Sequence, residues 1–316
     1  MQITAMTVWE GVLGTRKCVG ISDGQTRRAY QVPGYDNLYN LMRHCVNDGL
    51  SPRAYIETLL GQQPMPENDY EAMSFVAPVR PENDLYVFVS GVGHTHKQRA
   101  QQETEGMKNH GSAPVRPEWF YKGNGAILKT TKEPLNIPSY ALSGVEEAEL
   151  VLVYMVDNKK NPHYLGYSIG NEFSDTVLGK AHRHYFAQSK LRTCSVAPEL
   201  ILDEVPDTVG IEVNILRGTN TVWRAQLTTG TKEIIFTLSE IEKLVFQHPQ
   251  FRQPGIVHYI YLGTYKTSYH DGICLQHGDV VQMQVKHFLW PLVNHLNREP
   301  DPDEQTDPDR NTLTHR

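Results

Sequence analysis

The sequence is poor in several features, and each shortage excludes something. Cysteine is scarce: Cys18, Cys45, Cys194 and Cys274 are the four in 316 residues, and none stands in a CxxC spacing. That argues against a zinc site and a disulfide framework, and it fits a reduced compartment. No apolar run reaches the roughly 18 residues that a membrane-spanning helix needs. The opening residues lack a basic segment followed by a long apolar core, so no secretory signal is expected there. A cytoplasmic protein with no membrane partner is the expectation. Basic charge is also in deficit. Thirty Lys and Arg against 36 Asp and Glu leave a net charge of −6 with no long basic patch, which makes nucleic acid an unexpected partner. Gly91-Val92-Gly93 lacks the third glycine and the βαβ setting of a phosphate loop. No internal repeat is visible.

What is present is an ordinary globular composition, 39% hydrophobic, long enough for one large domain with a smaller appendage. Residues 1–80 read as a small N-terminal domain. Within it, residues 19–24 form a strand entering a turn, and Leu38, Leu41, Met42 and Cys45 follow helical spacing. Ser51 and Pro52 suit the N-cap and first position of a second helix, whose Tyr55, Leu59 and Leu60 share one face. The prolines at 78 and 81 mark a boundary. Residues 81–297 are strand-rich. Strands are expected over 85–89, leading to the Gly91–Gly93 turn, and over 149–156, 164–170, 258–262 and 279–285. Two more, 211–216 and 222–227, flank the hairpin signal Gly218-Thr219-Asn220. Ser239 and Glu242 read as a capping box for a helix over 240–247. Residues 298–316 are charged and Pro-rich, and disorder is expected there.

Chemistry concentrates around Glu146-Glu147-Ala148-Glu149, placed ahead of an apolar β-branched run. Side chains two apart in a strand share a face, so Glu147 and Glu149 point the same way. A second strand ends at Asn171-Glu172. Three carboxylates at strand ends suit a hard dication such as Mg²⁺ or Mn²⁺, although a Glu-x-Glu pair also suits a solvated strand face. Lys190, among small polar residues, suits either an ammonium beside an oxyanion or a surface lysine. Gly263-Thr264 offers a backbone N–H and a hydroxyl to a carboxylate, or forms a turn. His94 and His96 follow the glycine turn as candidate general bases, with Glu103 or Glu105 to orient them. The aromatic run from Glu118 to Gly123 suits a pocket wall or core.

In this order the stretches resemble the fumarylacetoacetate hydrolase superfamily. The matching pieces are the glycine turn with His96, Pro117 to Lys122, Glu147-Ala148-Glu149-Leu150, and Gly166-Tyr167 with Asn171 to Ser174. They continue with Lys190 to Pro198, Leu262-Gly263-Thr264, and Gly278 to Val281. Together they span roughly residues 85 to 290. The resemblance implies an α+β fold: a mixed β-roll with a small N-terminal α/β domain, assembled as a homodimer. It implies Mg²⁺ or Mn²⁺ held by Glu147, Glu149 and Glu172. Lys190 would face the substrate oxyanion and His96 would lie on a lid. Thr264, with Gly263 and Ser189, would contact a small-molecule 2-oxo acid.

There are departures from that pattern. The third ligand is usually Asp, not Glu172. An Arg and a Gln that commonly follow it are replaced by Thr176 and Gly179. A Glu three residues after the lid His is Arg99 here. The wording of Gly170 to Asp175 and of Ser189 to Arg192 is most similar to a branch of 2-keto-3-deoxy sugar-acid dehydratases. The expected function is therefore metal-dependent dehydration of a pentonate-like 2-keto-3-deoxy acid through an enolate. The missing Glu at position 99 speaks for dehydration over water activation. The alternatives are C–C hydrolysis of a 2,4-dioxo acid (acylpyruvase-like) and a non-catalytic sugar-acid-binding relative.

Overall fold

The strand Ala148–Val156 organises the structure, a computed structural model that describes residues 6–60, 64–106, 117–181 and 183–300. All nine of its residues are buried. Leu150, Leu152 and Tyr154 join one core together with Ile211, Val213 and Ile215. Val151, Val153 and Met155 join another with Leu38, Leu41, Met42 and Cys45. Alternate side chains leave opposite faces of a strand, so one strand feeds two cores and reads as an unbroken apolar run. Each aliphatic side chain so buried contributes roughly 1.5–3 kcal/mol relative to an exposed one.

Pro162–Asn171 pairs antiparallel with one edge of this strand and Val257–Tyr261 with the other. Val257–Tyr261 pairs in parallel with Val87–Gly93, which pairs antiparallel with Glu118–Gly123. On the far side, Glu199–Ile201 links Pro162–Asn171 to the meander Met6–Leu13, Arg16–Asp23 and Arg28–Val32, within one twelve-stranded sheet. The described residues of 1–80, a stretch read as a small leading domain, share a sheet and one core with strands from the rest of the chain, because Met6–Leu13 takes its register from Glu199–Ile201. A second, five-stranded sheet includes the hairpin Val209–Arg217 and Asn220–Thr229 and closes over the first core. Two mixed sheets with short helices make the α+β architecture that the sequence pointed to.

Helix Leu38–Asp48 starts at Asn37, whose side chain accepts the Asn40 N–H, and stops at Gly49 in the left-handed region. Helix Pro52–Leu59 starts at Ser51 as expected and buries Ile56. Two local readings are corrected. The Asn83 side chain caps a 3₁₀ turn at Asp84–Tyr86, so the strand begins at Val87 and runs through Gly91–Gly93, which is not a turn. Gly91 is in the strand because the Phe120 ring occupies the space its Cβ would take, 2.2 Å away. The capping box is Thr237 with Glu240, not Ser239 with Glu242. Helix Leu238–Phe246 so placed turns Ile241 and Val245 inward, four residues apart. The expected disorder of 298–316 falls, from residue 301 onward, outside the described residues.

Candidate metal centre and active site

Strand register brings the three carboxylates together. Glu147 and Glu149 lie on one face by alternation. The Glu172 N–H donates to the Glu147 carbonyl at 2.9 Å, which extends the pairing of Pro162–Asn171 by one residue and sets Glu172 opposite Glu147. Residues directly opposite in a ladder share a face. The result is three carboxylate oxygens within 4.8 Å of one another. The Asn171 side chain fixes the approach by accepting the Glu147 N–H at 3.0 Å. Glu149 accepts the N–H of Gly263 at 2.8 Å. Gly263 sits at φ 75°, where a side chain is strained and its Cβ would stand 3.1 Å from the Thr95 hydroxyl.

Two lysines face this nest. Lys190 donates to Glu147 at 2.9 Å and to Glu172 at 2.5 Å, with its ammonium over the rings of Phe120 and Phe186. Burial alone would push its pKa down, but the Glu147 and Glu172 charges outweigh burial and hold it above the usual lysine range. Lys122 is wholly buried and donates to Glu172 Oε1 at 2.5 Å and to the carbonyls of Phe173 and Lys190, both at 2.9 Å. Burial, and then the charges of Glu172 and Glu147, push the Glu149 carboxyl well above the ordinary range. Glu147 is held low despite burial, by Lys190 and by the Ser174 hydroxyl that donates to it.

The donors fit a hard dication. All are carboxylate oxygens, they converge, and burial followed by mutual repulsion raises the Glu149 pKa, a penalty that a cation would relieve.

No protein-family model matches the sequence, and no curated protein does. Solved structures do match by shape. A 2-keto-3-deoxyarabinonate dehydratase superposes with a TM-score of 0.70 at 17% identity, over 93% of this chain and 99% of that one. A 2-keto-3-deoxy-D-arabinonate dehydratase complexed with magnesium and 2,5-dioxopentanoate gives 0.67 at 17% over the same shares. A 5-carboxymethyl-2-hydroxymuconate delta-isomerase from Mycobacterium smegmatis gives 0.59 at 16%, again over 93% and 99%. The chain has the fumarylacetoacetate hydrolase fold.

Within the fumarylacetoacetate hydrolase fold, the other residues singled out in the sequence are placed unequally. Gly263 is at the nest through its bond to Glu149. The Ser189 hydroxyl turns back to the Phe186 carbonyl at 2.7 Å, so it is spent inside its own helix. Thr264 Oγ1 lies 3.4 Å from the Lys266 carbonyl. His96 is buried, with Nε2 on the Thr228 carbonyl at 2.8 Å and the ring stacked on Tyr265 at 4.3 Å. Burial lowers its pKa. Glu103 and Glu105, its suggested partners, have side chains outside the described residues.

The neighbouring histidine is the one near the nest. His94 Nε2 meets Glu118 Oε2 at 2.7 Å, and its ring faces Phe186, which also flanks Lys190. Glu118 and Phe120 lie on the same face of Glu118–Gly123, and Lys122 sits at the bulge opposite Val89 and Ser90. One short strand thus supplies Glu118, the ring beneath Lys190 and the ammonium on Glu172. The sequence suggested a pocket wall or core for this run and gave Lys122 no role. A lysine amid aromatics that alternate in and out was the available signal.

Proposed function

We propose that the protein is a divalent-metal-dependent lyase that dehydrates a 2-keto-3-deoxy sugar acid of the pentonate type. The observation that carries this reading is the buried nest of Glu147, Glu149 and Glu172, within 4.8 Å, faced by Lys190 and Lys122. The three glutamates would hold Mg²⁺ or Mn²⁺, which when bound supplies a Lewis acid for the keto oxygen and carboxylate of a 2-oxo acid. The residues of the chain do the rest. Lys190, fixed by two carboxylates and two rings, sets a positive charge where negative charge builds on the C2 oxygen. Dehydration removes a C3 proton and expels the C4 hydroxyl as water, which needs a base and an acid. His94 and Glu118, 2.7 Å apart, would supply both, one taking the C3 proton and the other giving a proton to the leaving hydroxyl. Phe120 and Phe186 keep water from the ammonium. The fold likeness to 2-keto-3-deoxy-D-arabinonate dehydratase supports the choice of reaction.

The same His94–Glu118 pair favours a second reading. The absence of Glu at position 99 spoke against a water-activating His–Glu dyad, yet strand register makes such a dyad from Gly93 opposite Glu118. C–C hydrolysis of a 2,4-dioxo acid, with pyruvate released, is that alternative. Incubation with Mg²⁺ and each substrate, followed by NMR, decides between them. Dehydration gives 5-hydroxy-2-oxopent-3-enoate, and transfer of a proton from C5 to C3 then turns the C5 alcohol carbon, through its enol, into an aldehyde, so the product expected from the 3-deoxypentonate is a 2,5-dioxo acid. Pyruvate from the 2,4-dioxo acid, with the 3-deoxypentonate untouched, would overturn it. Binding of both without turnover would point to a sugar-acid-binding protein. A homodimer is part of this proposal; light scattering should give twice the chain mass of 35.9 kDa.

A further inference from the structure

Lys122 is placed by a bulge. Val89 pairs with Gly123 and Ser90 with Tyr121, so Lys122 is the extra residue of its strand, and its side chain is wholly buried. An ammonium has three N–H donors. Those of Lys122 meet Glu172 Oε1 at 2.5 Å and the carbonyls of Phe173 and Lys190, both at 2.9 Å. The Glu172 carbonyl is a fourth, longer contact at 3.3 Å. All these acceptors belong to two segments. One carries the third carboxylate of the nest, and the other carries Lys190. The same segments are joined again by the Asp175 N–H, which donates to the Ser189 carbonyl at 3.0 Å.

Lys122 is thus held by main-chain carbonyls as well as by Glu172. Turning its third donor away from Glu172 would leave part of a buried ammonium unpaired, which is costly. That makes the two oxygens of Glu172 unlike. Lys190 Nζ bridges Glu172 Oε2 and Glu147 Oε1, at 2.5 and 2.9 Å. Oε2 is therefore turned toward Glu147, and Oε1 toward Lys122.

We infer that Lys122 is a positioning residue: it reserves Glu172 Oε1, so that Glu172 offers a dication one oxygen, Oε2. This rests on the reading that the nest holds Mg²⁺ or Mn²⁺. Mg²⁺ takes six oxygens in near-octahedral order, and a carboxylate that chelates through both oxygens takes two of those positions. A glutamate limited to one oxygen leaves a further position for the two oxygens of a 2-oxo acid. The lysine thereby governs how many positions a substrate finds on the ion, more than how tightly the ion is held.

Calorimetry on the wild type and Lys122→Met tests this, first with Mn²⁺ and then with oxalate, a two-oxygen chelator, added to the Mn²⁺-loaded protein. Lys122→Met releases Glu172 Oε1 and removes a positive charge. It should bind Mn²⁺ at least as tightly as the wild type, and oxalate about tenfold or more weakly. A lysine with a structural role alone would lower Mn²⁺ affinity; that result, or unchanged oxalate affinity, overturns the inference. Loss of charge by itself would also weaken oxalate, so crystal structures of both Mg²⁺-loaded proteins separate the causes. In the wild type, Glu172 Oε2 alone should stand about 2.1 Å from the ion, with Oε1 on Lys122. In Lys122→Met both oxygens should bind. A wild-type Glu172 bound through both oxygens, through Oε1 or not at all overturns the inference even if the variant does not fold. Single-oxygen binding in the variant assigns its effect to charge and also overturns it. A wild type that binds neither Mn²⁺ nor Mg²⁺ overturns the metal reading, and the role of Lys122 with it.

Discussion

Glu149 is the residue on which the metal reading turns. Its carboxylate accepts one backbone N–H and faces two further carboxylates, whereas Glu147 and Glu172 each have a lysine. Removing its charge should therefore relax the metal-free protein while disabling the metal centre. Glu149→Gln is expected to leave the metal-free melting temperature unchanged or higher, and to weaken Mn²⁺ binding by more than about a hundredfold. Titration of Mn²⁺ by calorimetry with parallel melting curves checks both, and unchanged Mn²⁺ affinity would remove Glu149 from the ligand set. A second residue sets the acid limit of stability. His258 is wholly buried against Phe88 and Phe246, donates from Nε2 to the Phe251 carbonyl at 2.7 Å, and has no partner for Nδ1 among the described residues. Burial pushes its pKa down from 6.5 to about 4. The unfolded chain takes up a proton below about pH 6.5 that the folded chain refuses until about pH 4, so this contribution to stability is complete above that window and lost as pH falls through it. The loss between pH 7.5 and 5 should be about 2 kcal/mol. Urea denaturation at the two pH values measures it. His258→Gln should lose less than the wild type over the same interval; an equal loss would assign the acid sensitivity elsewhere.

At the scale of elements, what was legible was local. Alternation set Glu147 and Glu149 on one face, helical spacing found Leu38–Asp48, and Ser51-Pro52 marked the next helix start. What was not legible depends on which strands become neighbours. Glu172 joins the site because its N–H finds the Glu147 carbonyl, a bond between residues 25 positions apart whose register no local pattern encodes. Glu118 meets His94 for the same reason, through the pairing of Gly93 with Glu118. The contact of the His96 ring with the Thr228 carbonyl of the other sheet is likewise set by long-range packing that no local pattern encodes. The misplaced capping box is a different kind of case: Thr237-x-x-Glu240 and Ser239-x-x-Glu242 satisfy one pattern, and tertiary packing of Ile241 and Val245 chooses between them. That choice has a measurable consequence. Thr237→Ala should cost about 1 kcal/mol in urea unfolding, whereas Ser239→Ala, on an exposed residue inside the first turn, should cost a few tenths at most. The reverse order of costs would restore the later helix start.

Across the whole molecule, the nest lies at the end of a strand that both large cores share. Glu147 and Glu149 lead into Ala148–Val156, whose two faces feed both cores, and Glu172 ends the strand beside it. The leading residues 6–32 are tied to the same sheet through Glu199–Ile201. Glu199 is wholly buried there, and accepts from Thr7, Ser22 and the Trp290 N–H. A ligand that fixes the nest therefore acts on a strand that neither core can release alone. Saturating Mg²⁺ or Mn²⁺ should raise stability by RT ln(1 + [L]/Kd), about 2.7 kcal/mol at one hundred times Kd, and should move the melting temperature up by a few degrees. Because the strand is common to both cores, the entire transition should shift as one, and EDTA should return it. Calorimetry distinguishes this from a local effect. If metal moved only one of two resolved transitions, or left the melt unaltered at millimolar concentration, the nest would not be joined to both cores in the way its strand requires.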